Sequence, residues 1–476
     1  MASVKAWKQS DPKAPPYPAD FEIVKRAVLQ VTDLKNNNNK YYGIELHKAA
    51  DQFRVFTHYG RTDDLDRDPE AGAKESRFFT SLPEAQREYE RILREKTSPA
   101  KGYQEVSLAS SRIGSAKARG QSSGHVDDKT LAKIKGDEQA AAPAPKKSEL
   151  PDGLQELVKY IYAEATNALT STVAAKITAN GIETPLGILT VGQLEKGAAV
   201  LDEIYALFKG SKGSPSRFQD LSGDFYTAVP HRIGRTREAV AAAVIDTLAE
   251  INAKQETLQL MKDMLAVNGE KGSVLFDNKV DDQYRALGCT IEQIPNGSPE
   301  HDEWAAHVVK SQVKSKNVKV RHVYRLKRGG EWDAFDTKVG NERMLFHGSR
   351  IKNWVGILSR GIVLPKIVVS MGVNRTDAGW LGNGIYFGDA ACTASFYTTP
   401  GTSGRKTRFL SIARVALGKV KDFTKITYGL EGPPAGYDSC HGVRNSKGAP
   451  TQFEDDEYVV YRTPQQRLEY LVEFTA

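Results

Sequence analysis

Two short apolar runs, MLF (344–346) and IYF (385–387), constrain this chain more than any other feature. Each is short and flanked by turn residues, so each reads as a buried strand. The first delivers His347, Gly348 and Ser349 to its end, and the second follows Gly382 and Gly384. Glycine at such positions lets the backbone approach another body closely. The plain reading is two core strands with turn glycines. The richer reading is a cleft, with residues 365–380 as an irregular flap across it.

Composition bounds what surrounds that cleft. A chain of 476 residues suggests three domains, at about 150 residues each. A net charge of +7 permits nucleic-acid binding without requiring it. Three cysteines, Cys289, Cys392 and Cys440, lie far apart with no C-x-x-C. Neither a zinc site nor a disulfide framework is indicated, which suits a reducing compartment. No apolar run approaches a membrane span, so no membrane partner is expected. Residues 1–20 lack the apolar core of a signal peptide and read as a disordered leader.

The expected fold class is α+β and multidomain. Residues 21–114 form a small β-rich domain: strands at 21–32, 41–47 and 53–58, a polar turn at 36–39, and one helix. That helix starts at Ser81, with Pro83 in its first turn and Glu84 completing a capping box. Residues 115–147, rich in Ser, Lys, Gly and Ala, read as a flexible linker with too few large apolar groups to bury a core. Residues 148–271 read as an all-α domain. Thr190 and Gln193 form a second capping box there, and 239–266 is one helix or two. His231, beside Pro230, reads as a structural hydrogen-bonding residue. Residues 272–476 carry many strands and few helices, as in a mixed sheet around a cleft.

Three pieces of that last domain stand together: HGSR (347–350), GNGIYF (382–387) and EDDEYVVY (454–461). They resemble the signature segments of the poly(ADP-ribose) polymerases, and the catalytic part is most similar to the vault-associated member. The resemblance implies a two-sheet ADP-ribosyltransferase fold. It also implies NAD, consumed as substrate without a metal, and a catalytic triad of His347, Tyr386 and Glu457. On the residues alone, Glu454, Asp455 and Asp456 compete with Glu457; the family's EYVVY register selects Glu457. It would bond a ribose hydroxyl and act as general base. His347 would fix the adenine-side ribose. Gly348 would present backbone groups to the nicotinamide amide, and Tyr386 and Tyr397 would sandwich its ring. Ser349, Asn353 and Gly356 would border the adenosine half. The family's amide-binding serine falls at Ala394; either Ser395 takes that role or one hydrogen bond is absent. The frequent lysine before it becomes Thr393, and the adenine-side arginine falls at Val363. No G-x-G-x-x-G follows a strand and opens a helix, which argues against a dehydrogenase.

The resemblance extends upstream. HYGRT (58–62) is similar to the core of a WGR domain, a DNA-break-sensing module, with Tyr59 in place of the tryptophan and Gly60 and Arg61 matching. Residues 185–204 and 224–231 resemble the helical regulatory domain of DNA-dependent members. The expected activity is therefore break-stimulated poly-ADP-ribosylation of the chain itself and of other proteins. The expected partners are DNA with breaks or ends and those acceptor proteins. A monomer is expected, in the nucleus if the source is eukaryotic and otherwise in the cytoplasm. Self-modification is expected near Ser110, Ser111, Ser115, Ser122, Ser123, Asp127, Asp128, Asp137 or Glu138. The alternatives are transfer of single units, or a DNA-binding scaffold with a weak or silent catalytic domain.

Overall fold

The computed structural model describes residues 4–126, 147–173, 175–178, 181–210, 214–231, 233–267, 280–313, 315–364 and 379–476. It divides into two compact units. One comprises Met1–Pro143 with Leu169–Phe276, the other Ala144–Ala168 with Asp277–Ala476. The expected flap lies almost wholly outside the described residues.

The first unit opens with β1 (Trp7–Lys8), β2 (Glu22–Asp33), β3 (Asn38–Ala49), β4 (Gln52–Arg61) and β5 (Ala73–Phe79). Helix α1 (Leu82–Lys96) and β6 (Gln104–Glu105) follow. The strands form one antiparallel sheet in the order β1-β5-β4-β3-β2-β6. Ala27, Leu29, Ile44, Leu46 and Val55 point to one face and pack on Ala85, Tyr89 and Ile92 of α1. This is the period-two face of a sheet meeting the apolar stripe of a helix. Ser81 caps α1 without the expected side-chain hydrogen bond.

Two expectations are corrected here. The leader is not separate: Trp7 and Lys8 pair with Ser76 and Glu75 of β5, and the Tyr17 hydroxyl donates to Gln52 O at 3.3 Å. The proposed linker is also folded up to residue 126. After β7 (Leu108–Ser111), the Ser115 amide and hydroxyl both donate to the Glu45 carboxylate, at 2.7 and 2.6 Å. Ile113 and Ala118 are fully buried. Composition hid this because a buried carboxylate, rather than an apolar cluster, ties the segment down. Ser111 and Ser123 are buried, whereas Ser110, Ser115 and Ser122 are half-buried. Asp127, Asp128, Asp137 and Glu138 lie outside the described residues.

Helix α2 (Asp152–Thr172) follows, and the division between the units falls within it. The next segment contains β8 (Lys176–Thr178), β9 (Gly181–Glu183), β10 (Gly187–Leu189), α3 (Val191–Lys209), α4 (Pro215–Ala228), α5 (Arg237–Ala241) and α6 (Leu248–Val267). The domain expected to be all-α thus also carries a small sheet, ordered β7-β10-β9-β8. Thr190 caps α3, accepting from Gln193 N at 3.2 Å. The Gln193 side chain turns away and accepts from Ser107 N at 3.1 Å, so only half of the capping box forms. The 239–266 pattern resolves into two helices. His231 is structural, as expected: it is buried, and its Nδ1 donates to Val229 O at 2.7 Å. Burial pushes its pKa down to about 3.

The second unit holds most of α2, then α7 (Val280–Ala286), β11 (Cys289–Ile294), α8 (Pro299–Ser311), β12 (Lys319–Arg328), α9 (Glu331–Ala334) and β13 (Glu342–Gly348). It continues with α10 (Trp354–Arg360), β14 (Ile385–Gly388), α11 (Ala391–Ser395), β15 (Arg408–Ala416), β16 (Val420–Phe423), β17 (Ser439–Gly442), β18 (Glu457–Val460) and β19 (Gln466–Thr475). Nine strands form one sheet in the order β11-β12-β19-β15-β13-β14-β18-β17-β16. The two expected sheets are visible as its halves. Five strands end at β13 and four begin at β14, and among the described residues those neighbours pair only through Phe346 and Gly388. Each half has its own core. Phe346, Leu410, Ile412, Val472 and Phe474 fill one; Leu381, Cys440, Phe453, Val459 and Tyr461 fill the other. All three cysteines are buried and free.

Candidate active site and nucleic-acid interface

The two strands that the sequence singled out flank the seam between those halves. His347 ends β13, and its Nδ1 lies 2.9 Å from the carbonyl of Tyr386 on β14. A carbonyl can only accept, so Nδ1 carries the proton and Nε2 is left as an acceptor. Burial holds this imidazole below its usual pKa, in the neutral form.

Tyr386 is fixed by its hydroxyl, which donates to Gly382 O at 2.7 Å and accepts from Leu381 N at 2.9 Å. Gly382 makes that loop possible. Its φ is +84°, and a Cβ there would sit 2.1 Å from Leu430 O. The glycine before the IYF strand is therefore needed by the fold itself.

Glu457 begins β18 and pairs with Gly388 across to β14. It is only 9 % exposed, and among the described residues no hydrogen bond reaches its carboxylate. Burial, with Asp455 as a second and smaller cause, pushes its pKa up to about 7. Its charge acts on both Tyr386 and Tyr397, which puts the three groups within electrostatic range. Tyr397 itself is 62 % exposed. A buried carboxylate with a near-neutral pKa and no hydrogen bond among the described residues is what general-base chemistry needs.

The remaining expected contacts are mixed. Asn353 Nδ2 donates to Ser349 Oγ at 3.1 Å, so these two act as one polar pair. Gly356 is buried within α10. Ser395 is buried, and its hydroxyl donates to Cys392 O at 2.6 Å. Its one proton is already committed, which weighs against its replacing the missing serine. Thr393 donates to Asp455, and Val363 is exposed at the end of α10.

Gly348 has a packing reason as well as a functional one. A Cβ there would lie 1.9 Å from Ala394 O of α11. Gly348→Ala is therefore expected to push α11 off β13, costing about 1–3 kcal/mol of stability as overpacking does. Turnover should fall with it; thermal unfolding and NAD consumption measured together check this.

Sequence reasoning missed Arg444. Its guanidinium lies 2.6 and 2.8 Å from the two Asp389 oxygens and 3.4 Å from Asp455 Oδ1. Its backbone N–H donates to Asp456 Oδ1 at 2.9 Å. Asp455 and Asp456, two of the residues read as competitors for the catalytic role, are thus bound up in ion pairs. Among the described residues, no group of three His, Cys, Asp or Glu side chains is placed to hold a metal. No described helix is long and apolar enough to cross a membrane.

In the first unit, Tyr59, Gly60 and Arg61 end β4 and line a concavity of about 460 Å³ with Lys40, Tyr42, Arg77 and Lys96. Tyr59 stacks on Tyr42 at 5.2 Å and 12°, and its hydroxyl donates to Glu75 Oε1 at 2.9 Å. Burial pushes its pKa up to about 12. Lys96 sits 4.7 Å from the Tyr42 ring centroid. Arg61 is braced by Asn37 O at 3.0 Å and Asp63 at 3.3 Å. Aromatic faces ringed by cations suit a stacked base or sugar and its phosphate.

Comparison with known proteins fits this geometry. A WGR domain matches residues 25–110, the regulatory domain of poly(ADP-ribose) polymerase 148–284, and its catalytic domain 303–476. The protein mono-ADP-ribosyltransferase PARP4 of Mus musculus is 34% identical over 326 residues, 68% of this chain but 16% of the relative. Its Homo sapiens counterpart is similarly covered, at 18% of its length, so this chain spans less than a fifth of either relative. Protein mono-ADP-ribosyltransferase PARP3 of Mus musculus is 25% identical across 94% of this chain and 87% of its own length. Poly [ADP-ribose] polymerase 2 of Arabidopsis thaliana is 23% identical over 94% and 72% respectively. With three of its domains matched in succession and relatives aligned along nearly all its length, the chain belongs to the poly(ADP-ribose) polymerase family.

Proposed function

We propose that the chain is an NAD-consuming ADP-ribosyltransferase that modifies proteins, itself included, and is stimulated by broken DNA. The observation that carries the reading is Glu457: a buried carboxylate with no hydrogen bond among the described residues, at the seam where His347 and Tyr386 are already locked together. NAD supplies an activated glycosidic bond whose leaving group, nicotinamide, departs without a metal. Around it, His347 Nε2 would accept from a ribose hydroxyl, and Tyr386 and Tyr397 would hold the nicotinamide ring. Ser349 and Asn353 would border the adenosine half. Glu457 would accept from the second ribose, steadying developing positive charge as a carboxylate does in glycoside hydrolysis. It would then take the acceptor's proton.

Glu457 favours elongation into chains. A second reading, transfer of single units, is favoured by the names of the two relatives quoted as mono-ADP-ribosyltransferases. The Tyr59 concavity supports DNA stimulation, and nuclear residence follows only if the source is eukaryotic. Labelled NAD, with and without nicked or broken DNA, followed by sizing of protein-bound label, separates the readings. Long chains are expected; one unit per site supports the second reading, and no label leaves a DNA-binding scaffold. Arg61→Ala should lower the salt slope of DNA binding by about one unit and reduce DNA-stimulated labelling while sparing the basal level. An unchanged slope would remove Arg61 from the interface.

A further inference from the structure

Arg444 lies in the segment between β17 and β18, pinned there by a backbone bridge to Phe453, whose side chain is fully buried. It is the one cation among the described residues that reaches all three carboxylates next to Glu457. It grips both oxygens of Asp389, lies 3.4 Å from Asp455 and 4.0 Å from Asp456 Oδ2, and donates its N–H to Asp456 Oδ1. Asp455 is 3 % exposed, and its other oxygen accepts from Thr393. One residue separates this buried carboxylate from Glu457, whose own carboxylate has no hydrogen bond among the described residues.

We propose that Arg444 is a positioning residue for the transfer reaction. By neutralising Asp389, Asp455 and Asp456 it lets Glu457 ionise and serve as the base at neutral pH. This rests on the reading of Glu457 as that base. The electrostatics follow from geometry. Like charges held close together in a buried site cannot all ionise, and a cation among them restores the charged forms.

Every element packed near Glu457 contributes a group. β13 brings His347, and Arg343, which donates to the Tyr458 hydroxyl at 2.7 Å. β14 brings Tyr386 and, just beyond it, Asp389. Tyr397 follows α11, and Asp455, Asp456 and Tyr458 share Glu457's own segment. β17 brings His441, whose ring nitrogens lie 2.8 Å from Asp456 and 2.8 Å from Asp422. Burial opposes charge on His441, but those two contacts lift its pKa. Of the three carboxylates that Arg444 reaches, His441 touches only Asp456, so it does not substitute for Arg444 at Asp455 or Asp389.

The test is the pH dependence of kcat with NAD. Arg444→Met should move the acid limb up by about 1–2 units, so that activity lost at pH 7 returns at pH 9. KM for NAD should change little. Asp455→Asn should move the limb the opposite way, the double variant should return towards the wild type, and Arg444→Lys should restore part of the shift. A loss in Arg444→Met that is equal at every pH, with Asp455→Asn leaving the limb in place, would overturn the proposal. If Arg444→Met does not fold, Asp455→Asn and Arg444→Lys still decide. Carbon-13 titration of the Glu457 carboxyl gives the same answer without turnover. A wild type that consumes no NAD would end the functional reading, whereas an unmoved Glu457 titration in the Arg444 and Asp455 variants would end this one.

Discussion

Glu457→Gln is expected to lower turnover by about 10²–10⁴, the usual contribution of a positioned base, or roughly 3–5 kcal/mol of barrier. The glutamine fills the same space, so NAD affinity should hold. The same substitution should stabilise the protein at alkaline pH. Burial raises the folded-state pKa of Glu457 from the ordinary carboxylate value to about 7. The folded state thus binds this proton more tightly than the unfolded chain. Stability from that source is complete below about pH 4.5 and is lost as pH rises through about 7. Above pH 8 the wild type folds against a buried, unpaired charge that the amide lacks. At about 1.4 kcal/mol per unit, the gain for Glu457→Gln is of order 2–3 kcal/mol at pH 8 and near zero at pH 4. Thermal unfolding at the two pH values checks the sign. A folded variant with wild-type turnover would remove Glu457 from the chemistry, and equal stability at both pH values would mean its carboxylate is solvated.

The strands and helix starts were legible because their signals are local. MLF and IYF became β13 and β14, and the alternation over 41–58 became β3 and β4 with Tyr41 opposite Gly60. Ser298 caps α8 through its side chain, with Pro299 in the first turn. What stayed hidden depends on partners distant in sequence. Ser115 is ordered by Glu45, seventy positions away in the chain. Arg444 finds Asp389 from 55 positions away. The short strands β8–β10 sit in a segment whose helical periodicity on either side dominates the pattern. The site glycines were legible as close approaches, but what approaches Gly348 and Gly382 is the chain itself, Ala394 and Leu430. Sequence spacing identified the triad positions only through resemblance to the family; the physical reason for choosing Glu457 over Asp455 and Asp456 is that, among the described residues, those two are ion-paired and Glu457 is not.

Deleting the whole regulatory segment is the obvious way to ask whether it restrains the catalytic domain. The structure predicts that this deletion damages the domain it is meant to release. Residues 144–168 belong to the same compact unit as 277–476. Tyr160 of α2 donates to Thr407 O at 2.8 Å. One turn later Glu164, 2 % exposed, accepts from Thr402 N and Ser403 N at 2.8 Å each and from the Thr402 hydroxyl at 2.9 Å. Burial opposes the charge on Glu164, but these hydrogen bonds hold its pKa below the ordinary carboxylate value. Its contribution to stability is therefore present above about pH 4.5 and is lost as pH falls through its folded-state pKa. Glu164→Ala strips two loop N–H groups of a charged partner, on an exposed Thr402 and a half-buried Ser403 that water can partly re-solvate. With charge-assisted bonds worth about 1.5–3 kcal/mol and water partly replacing them, a loss of about 2 kcal/mol is expected at pH 7. Glu164→Gln, which keeps an acceptor but not the charge, should lose about half as much. The gap between wild type and Glu164→Ala should narrow towards pH 3. A thermal unfolding series across pH reads all three. If Glu164→Ala unfolds at the wild-type temperature at pH 7, α2 does not anchor the loop at 401–403. A deletion that starts at residue 148 would then be a clean test of restraint; otherwise it must start after Thr172.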